Sequence, residues 1–153
     1  MKNRANTRFW IILPIVLFFL LSCATTGQKQ TESSDPKFYN NRGIDYGKKG
    51  QYDQAISDYT KAIDLNPRDD VAYYNRGVAH AAKGQYDQSI FDCSKAVEIN
   101  PNFAEAYLGR AVAYYFRKKY DRSWEDIKRA EALGYKIPPK FLEELRKASG
   151  RQN

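Results

Sequence analysis

The sequence predicts an all-α protein built from stacked helical hairpins. The pentapeptide GQYDQ occurs at residues 50–54 and again, unchanged, at residues 84–88. Residues 36–69 and 70–103 are identical at 16 of 34 aligned positions, and residues 104–137 continue the same period. Apolar residues recur at helical spacing within each period, and no segment has a convincing strand pattern. A fixed period of this length is typical of helical hairpins that bury their apolar faces only by stacking on one another.

Residues 1–22 have the features of a secretory signal peptide. Three basic side chains and no acidic one lie in residues 1–8, and the apolar run FWIILPIVLFFLL follows at residues 9–21. This run is too short to cross a bilayer as a helix, which takes about 20 residues. It ends in LLSC at residues 20–23, which resembles the bacterial lipobox and implies that Cys23 becomes a lipidated N-terminus, with palmitate among its acyl chains. A signal anchor with an incidental cysteine, or a buried core helix, is the alternative.

A short polar segment follows the cysteine. Residues 24–35 contain no large apolar side chain, and we expect a flexible tether with a root-mean-square span of about 20 Å. Removal of residues 1–22 takes away three basic residues and no acidic one, which lowers the formal net charge from +7 to +4. The remaining basic residues are interspersed with acidic ones, which argues against nucleic-acid binding and leaves open a mildly basic face near anionic lipid. With Cys23 acylated, Cys93 would be the only thiol, so we expect no internal disulfide.

The second repeat illustrates how each hairpin is expected to form. In its first helix, Gly77 and Ala81 are one turn apart and allow a neighbouring helix to approach closely, while Tyr73 fills the space opposite them. Asn100-Pro101 ends the second helix, because the residue before a proline is pushed out of the α region. The apolar stripe of this second helix is formed by Ile90, Cys93, Ala96 and Val97. We expect its solvent face to be formed by Asp92, Lys95 and Glu98.

The repeated pentapeptide predicts a tight turn between the two helices of a hairpin. We expect Gly50 and Gly84 to adopt the left-handed conformation that such a turn requires. The tyrosine that follows begins the second helix, and the aspartate places negative charge at the helix N-terminus, where the dipole favours it. The third copy, KKYDR at residues 118–122, has Lys118 in place of glycine and predicts a costlier turn. An acidic ligand loop is the alternative interpretation.

A last helix is predicted at residues 138–148, followed by a tail at residues 149–153. Pro138-Pro139 opens the segment, and Phe141, Leu142 and Leu145 then form one apolar stripe. We expect this helix to cover the open end of the array. Three hairpins and this helix make seven helices.

The repeats resemble those of the tetratricopeptide repeat (TPR) family. The first repeat has the family's aromatic and small residues and its terminal proline, at Tyr39, Gly43, Tyr46, Ala55, Tyr59, Ala62 and Pro67. The second repeat has His80 and Cys93 at two aromatic positions, and the third has Tyr135 where the proline belongs. The resemblance implies a right-handed solenoid of three TPR units at residues 36–69, 70–103 and 104–137.

In the TPR family, the first helix of each repeat lines a concave groove that holds a segment of another protein. The resemblance implies a partner-binding groove whose C-terminal half is apolar and aromatic, made of Asn40, Ile44, Tyr74, Asn75, Val78, Leu108, Val112, Tyr115 and Phe116. A contiguous apolar patch of this kind usually marks a partner site. Packing of these aromatic residues against each other, or beneath the last helix, is the alternative.

Some members of the family clamp a chain-terminal carboxylate with basic residues and asparagines. At the corresponding positions this chain has Asn40, Ile44, Asn75, Glu105 and Gly109. Only Asn75 matches, so the sequence argues against capture of an acidic C-terminus. Asn75 can still hydrogen-bond the backbone of a ligand.

The sequence offers little for catalysis. His80 is the only histidine, and Cys93 lies in the partner helix of the same repeat, so the two side chains could approach each other. A Cys–His couple needs exposure and an orienting third group, whereas both residues fall at core positions. No CxxC or HExxH motif suggests a metal site. We therefore predict no enzymatic activity, metal or cofactor, with a Cys/His enzyme as the least favoured alternative.

Taken together, these features predict a membrane-anchored TPR lipoprotein that acts as a protein–protein interaction adaptor or scaffold in the bacterial envelope. Ala24, rather than aspartate, follows the cysteine, which by resemblance favours the outer membrane and its periplasmic side. The alternative is a structural protein that self-associates through its groove or its last helix. The sequence leaves the partner and the oligomeric state open.

Overall fold

Short helices joined by tight turns make up the described part of the chain. The computed structural model describes residues 33–151, so the predicted signal peptide, Cys23 and residues 24–32 of the predicted tether lie outside the described residues. Between residues 33 and 151 there are seven α-helices and no strand, which confirms the predicted all-α class. The helices are α1 (Pro36–Lys48), α2 (Tyr52–Leu65), α3 (Asp70–Ala82), α4 (Tyr86–Ile99), α5 (Ala104–Phe116), α6 (Tyr120–Ala132) and α7 (Pro139–Ser149).

The helices pack as three hairpins followed by one further helix. Helix α1 packs on α2, α3 on α4, and α5 on α6. The second helix of each hairpin also packs on the first helix of the next, so the hairpins stack in chain order, and α7 packs on α6. No helix within residues 33–151 is both long enough and apolar enough to span a membrane.

Each hairpin closes where a small residue of its first helix meets a larger residue of its second. A Cβ atom built on Gly43 would lie only 2.7 Å from Cε1 of Tyr59. A Cβ atom on Gly77 would lie 3.0 Å from Sγ of Cys93, a side chain that is itself fully buried. The close approach expected at Gly77 is therefore present, and interiors packed this densely leave no room for an added methyl group.

The turns within the hairpins adopt the expected left-handed conformation. Gly50 has φ 73° and Gly84 has φ 75°, and Lys118 takes the same conformation in the third hairpin with φ 58°. The tyrosine two positions after each of these is the first residue of the second helix, as predicted. The first two hairpins begin with a side-chain cap, because Asp35 Oδ1 accepts from Lys37 N at 2.9 Å and Asp69 Oδ1 accepts from Ala72 N at 2.9 Å.

The expectation that Asp92 faces water is wrong. Its relative exposure is 1%, and the equivalent Asp58 and Asp126 are 3% and 4% exposed. Lys95 and Glu98 do lie at the surface, where they form an ion pair with each other at 2.8 Å. The carboxylate of Asp92 is buried because it has an arginine partner on the first helix of its hairpin, as described next.

Candidate protein-binding surface

A row of arginines fixes the first helices in position. Arg76 on α3 donates two hydrogen bonds to the carboxylate of Asp92 on α4, at 2.9 Å from Nε and 2.8 Å from Nη2. Its remaining terminal nitrogen, Nη1, donates to Thr60 Oγ1 on α2 of the preceding hairpin at 3.1 Å. One side chain therefore joins three helices, within and between hairpins, through paired charge-assisted hydrogen bonds.

The same arrangement recurs one repeat later. Arg110 donates to both carboxylate oxygens of Asp126, at 2.8 and 2.7 Å, and its Nη1 donates to Ser94 Oγ at 3.1 Å. The hydrogen bonds to Asp126 raise the pKa of the Arg110 guanidinium further, against the opposing effect of burial. In the first hairpin, Arg42 donates to Asp58 at 2.6 and 2.7 Å. These contacts keep the first helices α1, α3 and α5 in a regular series.

An open strip of mixed polar and apolar residues runs across these first helices. Asn75 Nδ2 on α3 donates to Asn40 Oδ1 on α1 at 3.1 Å, which joins two of the predicted groove residues. Val78 is 44% exposed, while Ile44 and Val112, one repeat away on either side, are half-buried. We call these five residues, Asn40, Ile44, Asn75, Val78 and Val112, the open strip.

Tyr74 contributes mainly to the contact between the second and third hairpins. Its ring lies 5.0 Å from that of Phe103, centroid to centroid, and burial raises the pKa of its hydroxyl. A Cβ atom on Gly109 would lie 3.3 Å from both Tyr74 Cε2 and Cys93 Sγ. Gly109, one of the positions that carry a basic residue in carboxylate-clamping relatives, is thus packed closely against its neighbours.

Helix α7 covers the C-terminal end of the predicted groove. Leu108 and Tyr115 pack against a buried cluster that includes Leu145, and the ring of Tyr115 lies 5.6 Å from that of Phe141. Phe141 and Leu145 fall one full repeat length after Tyr107 and Ala111, so in the sequence α7 stands where the first helix of a fourth hairpin would begin. Tyr115 and Leu108 are therefore half-buried rather than open.

Phe116 lies at the end of α5, beside the turn of the third hairpin. Its ring stacks on that of Tyr86 at the start of α4, with the centroids 4.6 Å apart and the planes 7° apart. It still has 52% of its surface exposed. The nine predicted groove residues thus separate into three groups: the open strip, the half-buried Tyr74, Leu108 and Tyr115, which pack against the third hairpin or α7, and Phe116 at the turn.

Cys93 and His80 do not form a reactive couple. Cys93 is fully buried, and burial raises the pKa of its thiol to about 12, so the thiolate is absent at neutral pH. His80 Nδ1 lies 2.7 Å from Gln85 Oε1, and its Nε2 lies 3.8 Å from Asp92 Oδ2. Within residues 33–151, no group of three or more histidine, cysteine, aspartate or glutamate side chains is placed to hold a metal ion.

Sequence reasoning missed the arginine row and a second set of ion pairs between successive turns. The arginines recur once in every repeat, each followed by an aspartate at the same offset along the chain, which is the signal that could have revealed their pairing. The two residues of each turn pair are also a constant 30 positions apart in the sequence, as are Lys83 and Asp53 and, one repeat later, Arg117 and Asp87. Neither spacing is visible in the pattern of a single helix, because neither joins two residues of the same helix.

Three stacked hairpins with an open strip on their first helices define a helical-repeat protein. Family models for "TPR repeat" and "Tetratricopeptide repeat" match residues 43–84 and 71–103. The chain belongs to the tetratricopeptide repeat family.

Solved structures support this assignment. The first TPR domain of Spaghetti (RPAP3), bound to the HSP90 peptide SRMEEVD, is 30% identical with a TM-score of 0.70, over 80% of this chain and 96% of that one. The TPR2B domain of yeast Sti1, in complex with a pHsp70 peptide, is 29% identical with a TM-score of 0.70, over 78% of this chain and 100% of that one. The TPR domain of Arabidopsis OM64 is also 29% identical with a TM-score of 0.70, over 73% and 94%. The comparison with curated proteins gives no match.

Proposed function

We propose that this protein is a lipid-anchored adaptor of the bacterial envelope that binds an extended segment of another protein on its open strip. The observation that carries the proposal is the partly exposed, uncharged strip across α1, α3 and α5, in a family with a solved member that is bound to a peptide. Main-chain groups of a bound segment would exchange hydrogen bonds with the amides of Asn40 and Asn75, and its apolar side chains would cover Ile44, Val78 and Val112.

The bound segment is uncharged and apolar rather than acidic. The HSP90 peptide on the first TPR domain of Spaghetti contains two adjacent glutamates and ends in aspartate. This chain has no basic residue in the open strip, and Glu105 and Gly109 stand at two positions where basic residues clamp a carboxylate in relatives. A carboxylate brought into such a strip would lose water without gaining a cation, which is unfavourable.

Membrane attachment through Cys23 is the second part of the proposal. The charged start, the short apolar run and the terminal LLSC support lipidation, and Ala24 supports the outer membrane and its periplasmic side. A tether of residues 24–35 would give the repeats a reach of about 20 Å from the lipid. The proposed role needs no catalysis by the candidate nucleophile, Cys93, which is buried as a neutral thiol.

The strip is tested by capturing partners from envelope extract with three forms of the full chain. In Val78→Asp, an exposed apolar side chain that binding would bury becomes a charge, and we expect at least about a tenfold loss of the captured partners. Phe91→Asp is the matched control, since Phe91 is 58% exposed on a second helix, and it should retain them. Recovery of the same partners at the same level with Val78→Asp contradicts the assignment of the strip.

Lipidation and self-association need separate measurements. Mass spectrometry of the mature chain should show acyl groups on Cys23, and Cys23→Ser should leave the protein unprocessed. Light scattering of the detergent-solubilised chain separates an adaptor from a self-associating structural protein, because the latter forms a defined dimer that Val78→Asp or a change in α7 disrupts.

A further inference from the structure

The turns of successive hairpins are joined into one continuous edge. Lys83 pairs with Asp53 of the preceding turn, and Arg117 pairs with Asp87 at 2.9 Å. Arg151, just after α7, pairs with Asp121 of the third turn at 2.7 Å and so completes the series. We call residues 47–53, 81–87, 115–122 and 149–151 the turn edge. The opposite ends of the helices form the loop edge, at residues 33–38, 64–71, 98–105 and 131–139.

Charge is divided unequally between these two edges. The turn edge has eight basic residues and three acidic ones, whereas the loop edge has seven acidic residues and three basic ones. The two edges are about 20 Å apart, the length of a 13-residue helix. Because this distance exceeds the Debye length of about 8 Å at physiological salt, an external charged surface interacts with each edge separately.

Most of the basic groups on the turn edge are available to an external partner. The three acidic residues are each paired with one cation. Within residues 33–151, no ion pair engages the other five cations, and all five are exposed: Lys48, Lys49, Lys118, Lys119 and Arg122. Lys118 holds a left-handed backbone conformation at the tip of its turn.

An exposed aromatic pair lies among these cations. Phe116, 52% exposed, stacks on Tyr86 immediately beside Arg117 and the two lysines that follow it. Basic residues next to exposed aromatic rings are typical of surfaces that rest at the level of lipid headgroups, where the cations meet phosphates and the rings enter the interface.

We propose that the turn edge rests on the anionic headgroups of the membrane that carries the protein. The proposal rests on the membrane attachment proposed above. In this orientation the acidic loop edge points away from the lipid, and the first helices stand upright with the open strip accessible from the side. A lipid surface is favoured over a soluble polyanion because the apolar run at residues 9–21 ends only a short polar segment before Asp35.

The length of the tether permits this orientation. Residue 35 precedes α1 at the loop edge, so the chain must span about 20 Å along α1 before it reaches the lipid. Residues 24–35 extend to at most about 40 Å. Deletion of residues 25–32 leaves a tether of about 13 Å, which is shorter than α1 and would prevent contact by the turn edge.

The test places a fluorophore on each edge of the full-length, lipidated chain. Cys93 is buried and Cys23 would be acylated, so Gln51→Cys on the turn edge and Asn102→Cys on the loop edge give single labelling sites. The proteins are reconstituted in phosphatidylcholine vesicles with or without phosphatidylglycerol, together with a headgroup-attached quencher. With phosphatidylglycerol we expect quenching at Gln51→Cys about fivefold above that at Asn102→Cys, and little difference without it.

Charge reversal provides the matched control. Lys119→Glu with Arg122→Glu should remove the difference in quenching between the two labelled sites. Lys136→Glu with Lys140→Glu, near the loop edge, changes the net charge of the protein by the same amount and should preserve that difference. High salt should abolish the difference in the wild type. Equal quenching at both sites on anionic vesicles overturns the proposal, as does a response at Gln51→Cys to soluble polyphosphate but not to phosphatidylglycerol. Because the readout involves no peptide, it is independent of the Val78→Asp result, and the mass spectrum separately reports an unlipidated Cys23.

Discussion

Three aspartates of the second helices lie in the interior with their carboxylates paired to arginines of the first helices. Asp92 is 1% exposed, and the side chain of its partner Arg76 retains 16% of its exposure. The pair is well satisfied, because both carboxylate oxygens accept from the guanidinium and a third nitrogen donates to Thr60. A pair of this kind contributes little net stability compared with apolar residues, but it is expensive to break from one side.

Asp92→Ala should therefore destabilise the protein by about 3–5 kcal/mol, since it leaves the Arg76 guanidinium partly buried and without its carboxylate. Asp45→Ala is the control, because Asp45 is exposed on α1 and its removal should change stability by no more than about 0.5 kcal/mol. Urea unfolding followed by circular dichroism measures both values. Equal midpoints for the two variants would show that the buried pair has no such role.

The thiol of Cys93 gives a prediction about alkaline pH. Its pKa is raised by burial from 9.0 to about 12, so folding favours the neutral thiol. The resulting stabilisation is fully present below pH 9 and is lost as the pH rises from about 9 toward 12, with a slope of at most about 1.4 kcal/mol per pH unit. Cys93→Ala should show a shallower decline in urea midpoint between pH 8 and pH 10.5 than the wild type. Parallel declines in the two proteins would mean that the thiol does not titrate differently on unfolding.

Burial of the apolar stripe around Cys93 follows from helical spacing, but burial of Asp92 does not. A pattern analysis places charged residues on the solvent side of a helix because it considers that helix alone. The partner of Asp92 lies on another helix, and only the repetition of Arg and Asp together in all three repeats links them. The prediction of an exposed Asp92 was therefore wrong, because its carboxylate is buried in an ion pair with Arg76 of another helix.

At the scale of a single element, the third turn differs from the first two by one side chain. Lys118 has φ 58°, a conformation that glycine adopts freely and that costs other residues roughly 1–2 kcal/mol. Part of glycine's advantage is offset, because glycine has more conformational freedom in the unfolded chain and loses more entropy on folding. The turns themselves were predictable, because the glycines and the following YD pair are visible in the sequence.

We expect Lys118→Gly to stabilise the protein by about 0.5–1 kcal/mol and the reciprocal Gly84→Lys to destabilise it by a similar amount or more. Both positions lie at the same point of their turns, and a Cβ atom at Gly84 meets no other atom within 4 Å, so steric clash does not contribute. Thermal melts of the two variants and the wild type provide the measurement. Opposite signs to those given would show that local backbone conformation does not decide the energy of this turn.

At the scale of the whole molecule, α7 determines how the array ends. Its Leu145 is fully buried in a cluster with Ile127, Ala130 and Ile137, and Trp124 Nε1 donates to Ser149 Oγ at 3.2 Å. The presence of this helix was predicted from its apolar stripe. Its coverage of Leu108 and Tyr115 was only the alternative interpretation, because it depends on α7 keeping the register of the repeats across a proline pair that interrupts their sequence pattern.

Leu145→Ala should cost about 2–5 kcal/mol, the range for removing a buried leucine side chain, and should lower the unfolding midpoint of the whole array. Leu133→Ala provides a control of the same chemistry, since Leu133 is 39% exposed after α6 and should cost less than about 1 kcal/mol. Differential scanning calorimetry reports both midpoints. A loss confined to α7, with the remaining hairpins melting at the wild-type temperature, would show that the terminal helix is energetically separate.

The agreement of α7 and Arg151 with the register of the repeats also bears on how such a chain can lengthen during evolution. Duplication of the codons for one whole repeat, just ahead of the codon for Pro138, would place α7 against the new copy just as it now meets the third hairpin, since Arg151 and the apolar residues of α7 keep the repeat offset from the third hairpin. Such a gene would encode a longer array that ends in the same C-terminal helix. Insertions of other lengths would separate Arg151 from its partner in the preceding turn, so selection should favour growth by whole units.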